Sequence, residues 1–199
     1  MPHEDSALNV PGTGPPRKIV LIRHGEKPPK AGPPPSGVRE DGSPHHESLV
    51  VCGWQRAGAL VPFFSTPWDP AIERPTYLYS PPSHGTDGDH GRPNQTLTPL
   101  ARKLDLAIDV RFVLDAETAL VADALARAGS VLIAWEHKRI PRIANALLGD
   151  TVTAPQSWPD DRFDVAWVFD LHPGGGYRFS QRPELLLHGD LPDVFSTTG

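Results

Sequence analysis

Apolar residues along the chain fall into two patterns, short unbroken runs and stretches spaced three or four apart, the signatures of buried strands and of one-sided helices. Ile19-Val20-Leu21-Ile22 is the first run; its mostly β-branched residues predict a strand buried on both faces, as inside a parallel sheet. Val131 to Trp135 and Val165 to Phe169 repeat that pattern. Thr76 to Ser80, bounded by Pro75 and Pro81, predicts another strand, and Gly174-Gly175-Gly176 predicts a hairpin into Tyr177 to Ser180.

Helical spacing appears at Val50, Trp54, Ala57, Val61 and Phe64, which predicts a helix over 49–64 ended or kinked at Pro62, with Gln55 and Arg56 on its solvated side. A second helix runs from Arg92 to about Leu104 with Leu97, Leu100 and Leu104 inward. Asp115 is expected to cap a third, lined by Val121, Ala124, Leu125 and Ala128 and stopped by Gly129. The fourth begins near Pro141, keeps Ile140, Ile143, Ala144 and Leu147 apolar, and stops at Gly149.

The segments between are uneven. Residues 1–16 are polar and rich in Pro and Gly, so a flexible arm is expected there, with a single domain over 17–199. Residues 28–46 form an unusually long loop directly after the first strand and suit a partial lid. Residues 150–162 read as a loop, and the chain beyond Arg182 is weakly patterned.

Composition narrows the function. Nineteen Lys and Arg against 24 Asp and Glu leave a net charge of −5, and the scattered basic residues argue against nucleic acid or membrane partners. The lone Cys52 excludes an internal disulfide and is expected to pack rather than react. No apolar run reaches membrane-spanning length, and residues 1–16 lack a signal-peptide core, so a soluble cytoplasmic protein is expected. The apolar hairpin near Phe169 and Phe179 could pair with a second subunit, giving a homodimer.

The first strand delivers Arg23-His24-Gly25 to its carboxyl end, where open α/β sheets place their ligand crevice. A guanidinium can hold phosphoryl oxygens as a planar fork while a neutral imidazole attacks phosphorus. Gly25 lets the backbone approach a ligand closely. A second all-apolar strand ends in Glu136-His137. If the two strands are parallel neighbours, His24 and His137 share one sheet edge. His24 would attack, while a cationic His137 with Arg23 and Arg92 would stabilise charge on the equatorial oxygens. Arg92 would stand at a helix N-terminus, itself favourable to anions. This chemistry needs no metal or other cofactor.

In order along the chain, Lys18 to Glu26, Gly53-Trp54-Gln55-Arg56-Ala57, Tyr79-Ser80-Pro81, Arg92 to Thr96 and Trp135-Glu136-His137 resemble the motifs of the histidine phosphatase superfamily. The resemblance covers about residues 17–150. It implies the phosphoglycerate-mutase-like fold, an α/β three-layer sandwich with a mostly parallel sheet and helices on both faces. It also implies a phosphate pocket of Arg23, His24, Arg92 and His137, with His24 phosphorylated transiently. Two features depart from the pattern. The gap between Ser80 and Arg92 is long, and Lys138 follows His137 where acid-phosphatase branches place an Asp and mutase branches a Gly.

The proton donor is open between Glu117, roughly where mutase-like members carry an acidic residue, and Glu136; Glu117 could instead stabilise a helix N-terminus. His84, Asp87, Asp89 and His90 could hold a metal, though a Gly-spaced loop of this kind is more often solvated. Three functions follow: a metal-independent phosphatase acting on a small phosphorylated metabolite or a phosphoprotein, a non-catalytic phospho-ligand-binding module, or a phosphomutase.

Overall fold

The computed structural model describes residues 14–83 and 91–196. Most of the expected arm and the four proposed metal ligands of the 81–91 loop lie outside them. Pro16 belongs to the folded part, since its carbonyl accepts the Tyr177 hydroxyl at 2.8 Å.

Strands β1 (Lys18–Arg23), β2 (Tyr77–Tyr79), β3 (Ile108–Asp109), β4 (Ser130–Trp135), β5 (Val165–Leu171) and β6 (Tyr177–Pro183) form one sheet in the order β3-β2-β4-β1-β5-β6. The β3-β2, β2-β4 and β4-β1 pairings are parallel, and β5 and β6 are added antiparallel. Helices α1 (Val51–Ser65) and α2 (Arg92–Leu104) cover one face; α3 (Glu117–Leu125) and α4 (Ile140–Leu148) cover the other.

Alternation along β1 serves both layers, as a period of two requires. Ile19 and Leu21 pack with Leu120, Val121, Ile140 and Ile143, whereas Val20 and Ile22 pack with Leu60, Phe64, Leu97 and Leu100. Every residue of β1 and β4 is buried, which fixes them at the sheet centre. Among the described residues no helix is long and apolar enough to cross a membrane.

Several local expectations are corrected. Helix α1 is not ended at Pro62 but continues to Ser65, because the ring removes one backbone bond while Leu60, Phe63 and Phe64 remain buried. Arg56 is 3% exposed rather than solvated, and Cys52 is exposed rather than packed. Asp115 does not cap α3: Ala116 takes that position, and Asp115, at φ +78°, turns its carboxylate to Arg139 and Arg142. Helix α3 stops at Leu125, before Gly129. Gly149 does close α4, in a left-handed conformation that returns its N–H to the Asn145 carbonyl.

Candidate active site

Parallel pairing sets Arg23 opposite Trp135, so β1 and β4 release their next residues at the same edge. The His24 N–H continues the ladder by donating to the Trp135 carbonyl at 3.3 Å. His24 and His137 therefore leave adjacent strand ends, as the sequence pattern anticipates.

The turn after β1 is held from below by α2 and α1. The Gly25 N–H donates to Thr96 Oγ1 at 2.8 Å, and that hydroxyl donates to the Arg92 carbonyl at 2.7 Å. A Cβ on Gly25 would come 2.9 Å from the Gly53 carbonyl, and one on Gly53 would come 2.5 Å from the Glu26 carbonyl. Two glycines are thus needed where the turn crosses the first turn of α1.

His24 is 4% exposed. Its Nδ1 lies 2.7 Å from the Gly25 carbonyl, an acceptor only, so Nδ1 carries the hydrogen and Nε2 the lone pair. Burial pulls its pKa down to about 3, assisted by the positive charges of Arg23, Arg92 and Lys27. The ring is neutral at pH 7, the state a nucleophile requires.

Arg23 is 1% exposed, and its Nη1 donates to the carbonyls of Pro159, Asp160 and Arg162 at 3.0, 2.9 and 2.8 Å. Its guanidinium carbon lies over the Phe163 ring. Nε and Nη2 are buried with no hydrogen-bond partner. Burial lowers its pKa to about 10, so it remains a cation at neutral pH. Two adjacent unsatisfied donors on one fork match two oxygens of a phosphoryl group.

His137 is 3% exposed, with Nε2 2.7 Å from Asp160 Oδ1. Nδ1 is buried without a hydrogen bond and stands 3.4 Å from Glu136 Oε1. Burial and then the Arg23 charge lower its proton affinity, against the pull of Asp160 and Glu136.

Arg92 begins α2 and reaches the loop before α1, donating to the carbonyls of Ser48 at 3.3 Å and His46 at 3.0 Å. Its charge is felt by both His24 and Lys27.

Glu117 is buried at the start of α3, where Oε1 accepts from Trp135 Nε1 and the Asp115 N–H, each at 3.1 Å. Glu136 is partly exposed, 3.8 Å from Arg139 Nε, and its charge reaches Arg23. Both carboxylates therefore stand about the end of β4. Glu26 Oε1 is held by Arg56 at 2.9 and 2.7 Å.

Sequence reasoning missed Asp160, Lys27 and Phe163. Lys27, immediately after the Arg-His-Gly-Glu run, adds its charge to the pocket, and its pKa is lowered by burial and then by Arg23 and Arg92. Its place beside the motif was a usable signal. Asp160 and Phe163 lie in a loop with no periodicity and come to the site only through long-range contacts.

No protein-family model matches the chain, and no curated protein matches it. A mycobacterial glucosyl-3-phosphoglycerate phosphatase, solved with VO3, superposes with a TM-score of 0.51 at 14% identity, over 83% of this chain and 97% of the other. The chain has the phosphoglycerate-mutase-like α/β fold. A structure assigned to the phosphohistidine phosphatase SixA of Agrobacterium tumefaciens matches at 15% identity and a TM-score of 0.47, over 83% of this chain and 95% of that one. In this fold the carboxyl ends of β1 and β4 are one edge of the central sheet, and here that edge carries Arg23, His24 and His137.

Proposed function

We propose that this chain is a phosphatase that hydrolyses phosphomonoesters, on a small metabolite or a protein side chain, through a transient phosphohistidine on His24. The observation that carries this reading is the pairing of a neutral, lone-pair-bearing His24 Nε2 with the unsatisfied Nε and Nη2 of the neighbouring buried Arg23. An acidic protein with a buried guanidinium fork beside a nucleophilic imidazole has a local site for a phosphoryl dianion.

The Nε2 lone pair forms the N–P bond as the bond from phosphorus to the leaving oxygen breaks, and that oxygen takes a proton from a carboxyl group. Water then attacks phosphorus, the N–P bond electrons return to Nε2, and the proton of the attacking water passes to the same carboxylate. Arg23, Arg92, Lys27 and a protonated His137 offset the charge that builds on the equatorial oxygens, so the side chains themselves supply the electrostatic stabilisation. Glu117 and Glu136 are the two carboxyl groups at the end of β4 that could serve as donor, and Glu117→Gln and Glu136→Gln separate them.

The direct test is hydrolysis of p-nitrophenyl phosphate by the wild type and by His24→Ala, with chelator present. Turnover that is lost in the variant supports the reading. Tight binding of inorganic phosphate without turnover in the wild type would favour a phospho-ligand-binding module instead. Phosphoryl transfer to an acceptor alcohol in preference to water would indicate a mutase.

A further inference from the structure

The contact between His137 and Asp160 joins the phosphate pocket to two long loops. Asp160 Oδ1 lies 2.7 Å from His137 Nε2, and Oδ2 is ion-paired with Lys30 of the lid loop. The Asp160 backbone is itself fixed, since its carbonyl accepts from Arg23 Nη1 at 2.9 Å together with those of Pro159 and Arg162. A carboxylate is thereby held against one ring nitrogen of His137 by the same guanidinium whose other nitrogens await an oxyanion.

We propose that Asp160 is a positioning residue for His137, accepting a hydrogen bond from Nε2–H so that, when phosphate is bound, the imidazole is cationic and its Nδ1–H donates to a phosphoryl oxygen. This rests on the reading of the pocket as a phosphate site. With Nε2 committed to Asp160, Nδ1 is the one ring nitrogen left for a ligand, and it is buried and unsatisfied like Arg23 Nε and Nη2 on the adjoining strand. Unsatisfied polar groups on neighbouring strand ends are accounted for together if a single anion fills them.

The charges facing His137 come from four places. Arg23 on β1 opposes protonation, Asp160 on the 150–164 loop and Glu136 at the end of its own strand favour it, and Lys30 on the lid loop tempers Asp160 from its far oxygen. In the empty pocket burial and Arg23 prevail, and the ring's proton affinity is low. A bound phosphoryl dianion offsets the Arg23 charge, and the carboxylate on Nε2 then has a cation to stabilise.

The test uses the full chain and inorganic phosphate, with binding measured by calorimetry from about pH 5 to about pH 9 and the His137 ring followed by nitrogen-15 NMR. In the wild type, phosphate binding is accompanied by proton uptake on His137. Asp160→Asn, which preserves the backbone contacts to Arg23, should lower the phosphate-bound midpoint of His137 by about one pH unit, weaken phosphate by up to about tenfold below the wild-type midpoint, and leave affinity unchanged well above it. Lys30→Met should leave that midpoint at or above the wild-type value. An unchanged midpoint in Asp160→Asn would overturn the proposal. Tighter phosphate binding by Asp160→Asn would also overturn it, making the carboxylate a stand-in that phosphate must displace. Absence of phosphate binding in the wild type would instead remove the phosphate-site reading, and the proposal with it.

Discussion

The guanidinium carbon of Arg23 lies 3.7 Å from the centroid of the Phe163 ring, and this stacking, with three carbonyls on Nη1, orients the fork toward the pocket. A desolvated cation–π contact contributes roughly 0.5–2 kcal/mol. Phe163→Leu is expected to fold and to lose about threefold to thirtyfold in phosphate affinity and in kcat/KM, with Phe163→Tyr near wild type. Phosphate titration and steady-state kinetics of both variants check this.

His24 links activity to pH in a defined direction. Its proton affinity falls from an ordinary pKa of 6.5 to about 3 on folding, so between those values the unfolded chain binds more protons than the folded one. Stability conferred by the neutral ring is present above pH 6.5 and is lost as pH falls toward 3, and His137 shifts in the same direction. Urea unfolding at a series of pH values should show wild-type stability declining through that window and a shallower decline in His24→Asn. The same shift means that loss of the nucleophile's lone pair gives no acid limb in kcat/KM near pH 6.5.

Much of this edge was legible because β1, β4 and α2 are determined by local pattern. Two apolar runs buried on both faces belong at a sheet centre, and the residues after them must share an edge. What stayed illegible depends on partners far away in the chain. Helical spacing put Arg56 on a polar face, yet Glu184 and Asp190 from the weakly patterned tail cover that face. Asp160 and Phe163 sit in a loop where no period marks one residue above another. Strand β3, two residues long, is too short to carry alternation. Asp115 has a capping side chain but a left-handed backbone, a conformation sequence alone did not disclose.

Arg56 is the centre of a buried charge network with Glu26, Glu184 and Asp190. Complete burial pushes Glu184 up to about 8 against the pull of Arg56, with Asp190 and Asp164 adding to the rise. Arg56→Met would leave the carboxylates of Glu26 and Asp190 without their cation, a change worth about 3–5 kcal/mol of stability. Because Glu26 follows the nucleophile turn, activity per folded molecule should fall too. Denaturant melts and kinetics on the folded fraction check both outcomes, with Arg56→Lys expected to recover part of the stability.

Gly53 offers a backbone test of the nucleophile turn. A Cβ there would meet the Glu26 carbonyl at 2.5 Å and the Glu26 nitrogen at 2.9 Å, both main-chain atoms that can yield only by moving the turn. Gly53→Ala is expected to cost about 1–3 kcal/mol and to lower kcat more than KM rises. Gly58→Ala, with nothing within 4 Å of the added carbon, is the matched control and should be neutral or stabilising.

The most direct measurement is rapid quench of the wild type with a phosphorus-32-labelled phosphomonoester, followed by mapping of the protein-bound label. The account predicts a transient, alkali-stable and acid-labile phosphoramidate on His24, absent from His24→Ala and formed more slowly in Arg23→Lys. Turnover with no label on His24, or label on another residue that persists in His24→Ala, would contradict it.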